Sequence, residues 1–532
     1  MSYTSFNYLI FIAVLCAVYY IVRPKQRWMV LLFGNVIFYL ASGWDNFIFL
    51  FVSVVVSYYV SLKMGRNHAE FKAIKKQGIY DRKELKAVKE QYAKKRRHYL
   101  LFGLFVVLGI LIVVKYTNFL LGNVVSVINL FGANVDNMVI DLVVPLGISF
   151  YTFQMISYMV DVYNGNTKPQ ENFFRYALYS SFFPSVVQGP IPRYEKLGKQ
   201  LEEEHSFDFD HIRDGVMLIL WGLVKKLVLA ERLAIFVAEI YGNYTSYEGV
   251  ILVLATVAFS IEIYADFSGC MDIVTGTARM FGIELQQNFI RPYFSKTMPE
   301  FWRRWHASLG SWFKDYVFYP FSISSVSLKL NKSARKKFGN EAGRIIAASM
   351  PILIVWSLTG IWHGAEWKYV VWGLFHGTLI ILSTIFAPYN EKMTQKLHIN
   401  KDSFWFQLYQ MTRTFILCCV GRVFFRAGSL SEALGIFKQI FSATGFWRIM
   451  DGKLYTYGLN QKNMILVLIV IAAMWCVSML EEKSDGETIE KIVGKQSVVV
   501  RWCVMYVLLF TVMIFGSYGP GYNAAAFIYE QF

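Results

Sequence analysis

Ten stretches nearly free of charged residues constrain this chain more than any other feature: 5–22, 28–43, 46–63, 99–114, 139–160, 249–265, 345–362, 367–387, 463–480 and 498–516. A helix that crosses a bilayer needs roughly 20 apolar residues, within about 17–25. Several runs meet that length and the others fall a little short. The backbone in lipid finds no water to bond, so such runs must satisfy their own N–H and C=O groups as helices. A β-barrel would alternate in and out along short strands, and no such alternation is present. Length alone, at roughly 150 residues per soluble domain, would suggest several domains. Composition argues otherwise: charged residues make up 17%, against about 25% in soluble proteins. The aromatic content of 17% suits a chain with many boundaries between water and apolar medium, where Trp and Tyr settle. The expected fold class is an all-α polytopic membrane protein.

The first run is too long for a signal peptide, follows no basic stretch and precedes no small-residue cleavage site, so it reads as a retained membrane helix. The six cysteines (Cys16, Cys270, Cys418, Cys419, Cys476 and Cys503) sit in or beside apolar runs without metal-ligand spacing. They read as small core residues, with no disulfide framework. The expected organisation is a membrane core over 1–390, interrupted by a basic loop at 64–98. Helices over 391–532 then form part of the same membrane domain.

Charge sets the expected orientation. Between Arg66 and Arg97 there are 12 Lys/Arg against 4 Asp/Glu, a net +8, half of the chain's +16. Basic loops beside membrane helices stay in the cytoplasm. Arg23, Lys25 and Arg27 follow the first run. One crossing places that triplet inside and three crossings place 64–98 inside, so both loops agree on an extracytoplasmic N-terminus. A third basic stretch, 329–344, reads as cytoplasmic too. Membrane lipids are the expected partner of these loops, since anionic headgroups attract each basic residue by about 1 kcal/mol. Nucleic acid is not an expected partner, because no binding module accompanies the charge. The expected location is the cell membrane, crossed many times.

Of eight histidines, five lie in polar stretches and read as surface residues. His306, His363 and His376 instead sit among apolar, Trp-rich residues, in FWRRWHASLGSW and GIWHGAEWKYVVWGLFHG. An ionisable residue within membrane sequence is costly, and is by default a functional candidate. The alternative is a core histidine bonded to a neighbouring helix. His363 and His376 are too far apart on one continuous helix to share a site, about 20 Å of rise. Gly364 is expected to end the helix at His363. Zinc is the weaker reading of the three histidines, because the spacing fits no ligand pattern and no carboxylate is near. A Ser–His–Asp hydrolase is weak because no G-x-S-x-G elbow exists. A neutral imidazole acting as general base remains. Asp266, Asp272 and Asn288 are further polar residues in apolar context. Arg303 and Arg304 either hold a donor phosphate or anchor a helix end. No Walker A loop or Rossmann glycine pattern is present, so the chain carries no motif for binding a nucleotide to activate a substrate.

These motifs carry a family likeness. DFSGCMDIVTGTARMFGIELQQNFIRPY, FWRRWHASLGSWFKDYVFYP and GIWHGAEWKYVVWGLFHG resemble the membrane-bound O-acyltransferase family, in its bacterial polysaccharide branch. GISFYTFQMISYMVDVY, FFPSVVQGPIPRY, GRVFFRAGSLSEAL and the terminal FIYEQF resemble the alginate-type members, with Glu530 where the family's terminal motif has Phe. The likeness runs from about residue 140 to the end. It implies a ring of tilted helices around a central tunnel. His363 falls on the family's catalytic histidine and His306 on its second site residue. Substrate or donor contacts are expected at Arg303, Arg304, Trp305, Trp362, Asp266, Asn288 and His376, with no metal and no permanently bound cofactor. The likeness further implies an acyl thioester donor on the cytoplasmic side, acetyl-CoA or an acyl carrier protein. Acyl transfer, most simply of acetyl, would then reach hydroxyls of an extracytoplasmic polysaccharide or an extracytoplasmic acetyltransferase partner. D-alanyl transfer to teichoic acid is the alternative within the family. A transporter without chemistry would show two repeated halves, whereas the polar motifs here cluster in 260–376. Trp362 and Trp367 are expected to keep the site dry, and Gly364 to let a substrate approach the backbone.

Overall fold

Capping residues mark where the apolar runs begin as helices. Ser5 caps α1 (Phe6–Ile21) by accepting from the Tyr8 N–H. Asp81 and Glu84 form a capping box at the start of α4 (Arg82–Leu130), satisfying two N–H groups that a helix start leaves unpaired. The computed structural model describes residues 1–136, 138–442 and 445–518. All regular structure among them is helical, apart from one isolated antiparallel bridge between Phe289 and Trp305. The terminal FIYEQF motif and Glu530 lie outside the described residues.

The chain divides into two compact units, Met1–Arg213 with Thr277–Gln286, and Asp214–Gly276 with Gln287–Phe532. The first unit holds α1, α2 (Arg27–Leu40), α3 (Trp44–Gln77), α4 and α5 (Ile148–Asn164). The second takes in most of α6 (Gly249–Met280), the short α7 (Met298–Arg304) and α8 (Ala307–Phe313), and the basic α9 (Ser325–Phe338). It continues with α10 (Asn340–His363), α11 (Trp367–Lys396), α12 (Phe404–Arg426), α13 (Gln461–Lys483) and α14 (Val498–Phe515). The division expected near residue 390 instead falls inside α11, which runs unbroken to Lys396. Its apolar half and polar half share one helix, so a change of composition there marks no boundary.

Among the described residues seven helices are long and apolar enough to cross a membrane: α3, α4, α6, α10, α11, α13 and α14. They differ in how they face their surroundings. The apolar stretch of α6 is 72% buried in protein, whereas that of α14 is 0% buried. A largely apolar helix with none of its residues buried by protein has hydrocarbon as its matching solvent. The protein is a multi-pass membrane protein.

The stretch 64–98 differs from expectation. It is no loop: α3 runs on to Gln77 and α4 begins at Arg82, so only a short turn is left between them. Polarity alone suggested a loop. Glu, Lys, Arg, Gln and Ala are good helix formers, so a helix can leave the membrane and continue in water. The run 139–160 also differs, since helix begins only at Ile148, after Gly147 in a left-handed conformation. The helix α12 matches none of the ten apolar runs, although helices were expected over 391–532.

Small residues bring α10 and α11 together. A Cβ on Gly360 would lie 2.2 Å from the Tyr369 carbonyl oxygen, and one on Gly373 would lie 2.1 Å from that of Trp356. Close backbone approach at small residues is the usual way membrane helices pack. Here it sets the end of α10 against the first turns of α11.

Candidate active site

The Trp305–His306 pair is a deliberate break between two short helices. Thr297 caps α7 and Pro299 occupies its first turn, where proline costs no hydrogen bond. Trp305 then turns extended, and His306 adopts the left-handed region at φ 47° before α8 begins. The segment is pinned to 288–290 by the bridge of Phe289 to Trp305. The Ile290 N–H donates to the Arg304 carbonyl (2.9 Å) and the Ala307 N–H to the Asn288 carbonyl (2.9 Å).

Asn288 fixes the imidazole. Its side-chain oxygen accepts from the Ser308 N–H (3.1 Å) and the Ser308 hydroxyl (2.9 Å), and lies 3.1 Å from His306 Nδ1. A backbone N–H can only donate, which identifies that atom as the oxygen. Nδ1 of His306 therefore carries the proton, and in the neutral ring Nε2 carries the lone pair. His306 lies outside the seven long apolar helices, and burial pushes its imidazole down to about 3. It is neutral at physiological pH.

His363 ends α10, with Gly364 extended after it, as the sequence suggested. Its ring meets Trp362 (4.9 Å between centroids), Trp372 (4.9 Å) and Phe425 of α12 (5.4 Å). The Trp362 ring also lies 5.8 Å from that of His306, so one indole neighbours both histidines. Lys368 donates to the Ala427 carbonyl (2.9 Å), fastening α11 to the end of α12.

His306 and His363 line one cavity of about 660 Å³, together with Trp302, Trp305, Trp356 and Thr359. That volume falls within the range of small-molecule sites. Both histidines are 3% exposed. The exposed cations Arg303 and Lys314 also line it.

The remaining expected residues stand as follows. Arg304 points away from the cavity and pairs with Glu300 (2.8 Å) and Glu482 (3.5 Å). Asn288 orients His306 without lining the cavity, and Asp266 pairs with Lys226 (2.6 Å). His376 does not line it either, and is packed among Trp302 (4.8 Å), Trp372 (5.1 Å) and Trp356 (5.8 Å). Two expectations fail. Trp367 is 56% exposed and is not among the residues lining the cavity. The space beside Gly364 belongs to the Tyr369 ring, 2.2 Å from where a Cβ would stand, and not to a substrate. Sequence reading missed Trp302, Trp356, Lys314 and Phe425. Trp302, Lys314 and Phe425 stood inside motifs already quoted without being singled out, whereas Trp356 lay outside all of them. Among the described residues no three His, Cys, Asp or Glu side chains converge as metal ligands.

Known proteins align with this geometry. Residues 170–425 match the membrane-bound O-acyltransferase family. The chain is 28% identical over 466 residues to the probable alginate O-acetylase AlgI of Pseudomonas aeruginosa, covering 87% of this chain and 79% of that protein. It is 29% identical over 416 residues to the peptidoglycan O-acetyltransferase of Helicobacter pylori, covering 72% and 73%. With the teichoic acid D-alanyltransferase of Bacillus subtilis it shares 28% identity over 295 residues, covering 53% and 68%. The matched span takes in α6 through to Phe425, and with them every residue of the cavity. Residues 170–425 therefore belong to the membrane-bound O-acyltransferase family, and the chain is an O-acyltransferase.

Proposed function

We propose that this protein moves an acetyl group from a cytosolic thioester, acetyl-CoA or an acyl carrier protein, to hydroxyls of an extracytoplasmic polysaccharide. The transfer runs through the cavity shared by His306 and His363. One observation carries the reading: two buried histidines of different motifs line the same cavity, which also presents two exposed cations. Acetyl is favoured because the acetyl-transferring relatives align over 87% and 72% of this chain, and the D-alanyl-transferring one over 53%.

In this reading the acceptor hydroxyl attacks the thioester carbonyl carbon. The new C–O bond replaces the C–S bond, and the hydroxyl proton passes to a histidine and then to the leaving thiolate. A hydroxyl is a weak nucleophile at pH 7 and needs a positioned base. His306 is suited to accept, at Nε2, a hydrogen bond from a neighbouring hydroxyl of the acceptor, and the proton of the attacking hydroxyl is assigned to His363, which falls on the family's catalytic histidine. Arg303 and Lys314 suit the anionic portion of a donor. The N-terminus faces outward and the basic tip between α3 and α4 faces the cytoplasm, at the cell membrane.

Deleting the gene and comparing ester-linked groups on purified surface polymers by mass spectrometry tests the proposal. Acetyl esters should disappear, and return with the wild-type gene but not with His363→Ala. Loss of D-alanyl esters would instead select the teichoic acid reading, and no loss of either would remove both.

A further inference from the structure

The helix α12 carries a charge that none of the contacts described so far absorbs. Arg422 is 2% exposed, yet it makes no hydrogen bond or ion pair to a described residue, and its Nη2 is buried without an acceptor. Its guanidinium centre lies 4.4 Å from the centroid of the Trp305 ring, a cation–π contact of close geometry. The position is not slack. A Cβ on the adjacent Gly421 would lie 2.4 Å from Nε2 of His376, so α12 is pressed against α11 at this level. An uncompensated buried cation opposes folding, and an apolar side chain of similar size would fill the space better. Packing alone gives no reason for arginine here.

Trp305 supplies one. Its ring meets the edge of Phe289 (4.9 Å) and stacks on Phe301 (5.6 Å), and Arg422 covers it from α12. Trp305 precedes His306 directly, and its backbone leads into the left-handed turn that aims the imidazole. Rotation of the indole would be passed straight to His306.

We infer that Arg422 is a positioning residue for acyl transfer, holding the Trp305 ring, and with it His306, in the cavity wall. The inference rests on the proposed role of that cavity. It is tested in a deletion strain complemented with the full-length protein, reading polymer acyl esters, membrane abundance and the melting midpoint of the purified protein. Arg422→Met should lower acylation about 10²-fold, the loss that a small misplacement at a reacting centre brings. Its midpoint should stay unchanged or rise. Arg422→Lys, which keeps the cation, should recover part of the rate. Full activity of a well-expressed Arg422→Met protein, with His363→Ala inactive, would overturn the inference and leave the cavity's role intact. An active His363→Ala protein would remove the cavity's role, and this inference with it. If the methionine variant fails to reach the membrane, Arg422→Lys combined with Trp305→Phe decides. A double variant no worse than the poorer single variant supports action through Trp305, and multiplied losses exclude it.

Discussion

A left-handed backbone at a residue other than glycine costs about 1–3 kcal/mol, and His306 adopts it within a wall of buried side chains. The Asn288 side chain holds the surroundings in place by serving the His306 ring and both donors of Ser308. Asn288→Ala strands buried donors, so it should destabilise the protein by about 1–3 kcal/mol and reduce acylation per folded molecule. A melting midpoint equal to wild type would contradict that. For the histidines the expected order is fixed. His363→Ala should lose the about 10²–10⁴-fold that a positioned base contributes, His306→Ala should lower the rate strongly, and His376→Ala least. Acyl esters normalised to membrane abundance give that order, and near-normal acylation by His363→Ala would take it out of the mechanism. Because burial holds the His306 imidazole well below its usual value, the neutral ring is the form expected at working pH. His306→Gln should therefore be slower yet keep the acid limb of the wild-type pH–rate profile, and disappearance of that limb would assign the titration to His306. The Trp-rich surroundings separated three histidines from five in the sequence, and Asn288 stood out as polar in apolar context, but its pairing with His306 across 18 residues is visible only in the fold.

At the level of elements, the seven long apolar helices were legible because hydrophobic length is itself the signal. The helix α12 was not, since Gln407, Gln410, Arg413 and Arg422 interrupt its apolar residues and its burial comes only from packing against neighbours. That helix brings Phe425 against His363 and Arg422 against Trp305, so the motif GRVFFRAGSLSEAL held support for the site whose contacts only the fold reveals. The contact between α10 and α11 was equally hidden, because glycines in apolar runs look alike until a neighbour's carbonyl is seen. Gly373→Ala places a methyl 2.1 Å from the Trp356 carbonyl and must force the helices apart. Overpacking of this kind costs about 1–3 kcal/mol. Thermal unfolding of the purified variant should show the loss, with activity falling alongside it, and an unchanged midpoint would mean that the two helices can separate freely.

For the whole molecule, function depends on which side each substrate meets. A single cysteine at Lys83, in a protein stripped of its native cysteines, should resist an impermeant thiol reagent on intact cells and react once the membrane is opened. Ready labelling from outside would reverse the orientation. Purified protein given labelled acetyl-CoA or an acetylated carrier protein should release the free thiol or pass the label on, and turnover of neither would exclude a thioester donor. The pair α3 and α4 has a consequence of another kind. With 49 residues, α4 is about 74 Å long at 1.5 Å per residue, more than twice the roughly 30 Å of hydrocarbon it has to cross. Even steeply tilted, it carries its capped, basic tip well clear of the lipid. Single-particle images of proteins hidden in a detergent belt are hard to align for want of any landmark, and this rigid antenna would supply one without an added antibody fragment.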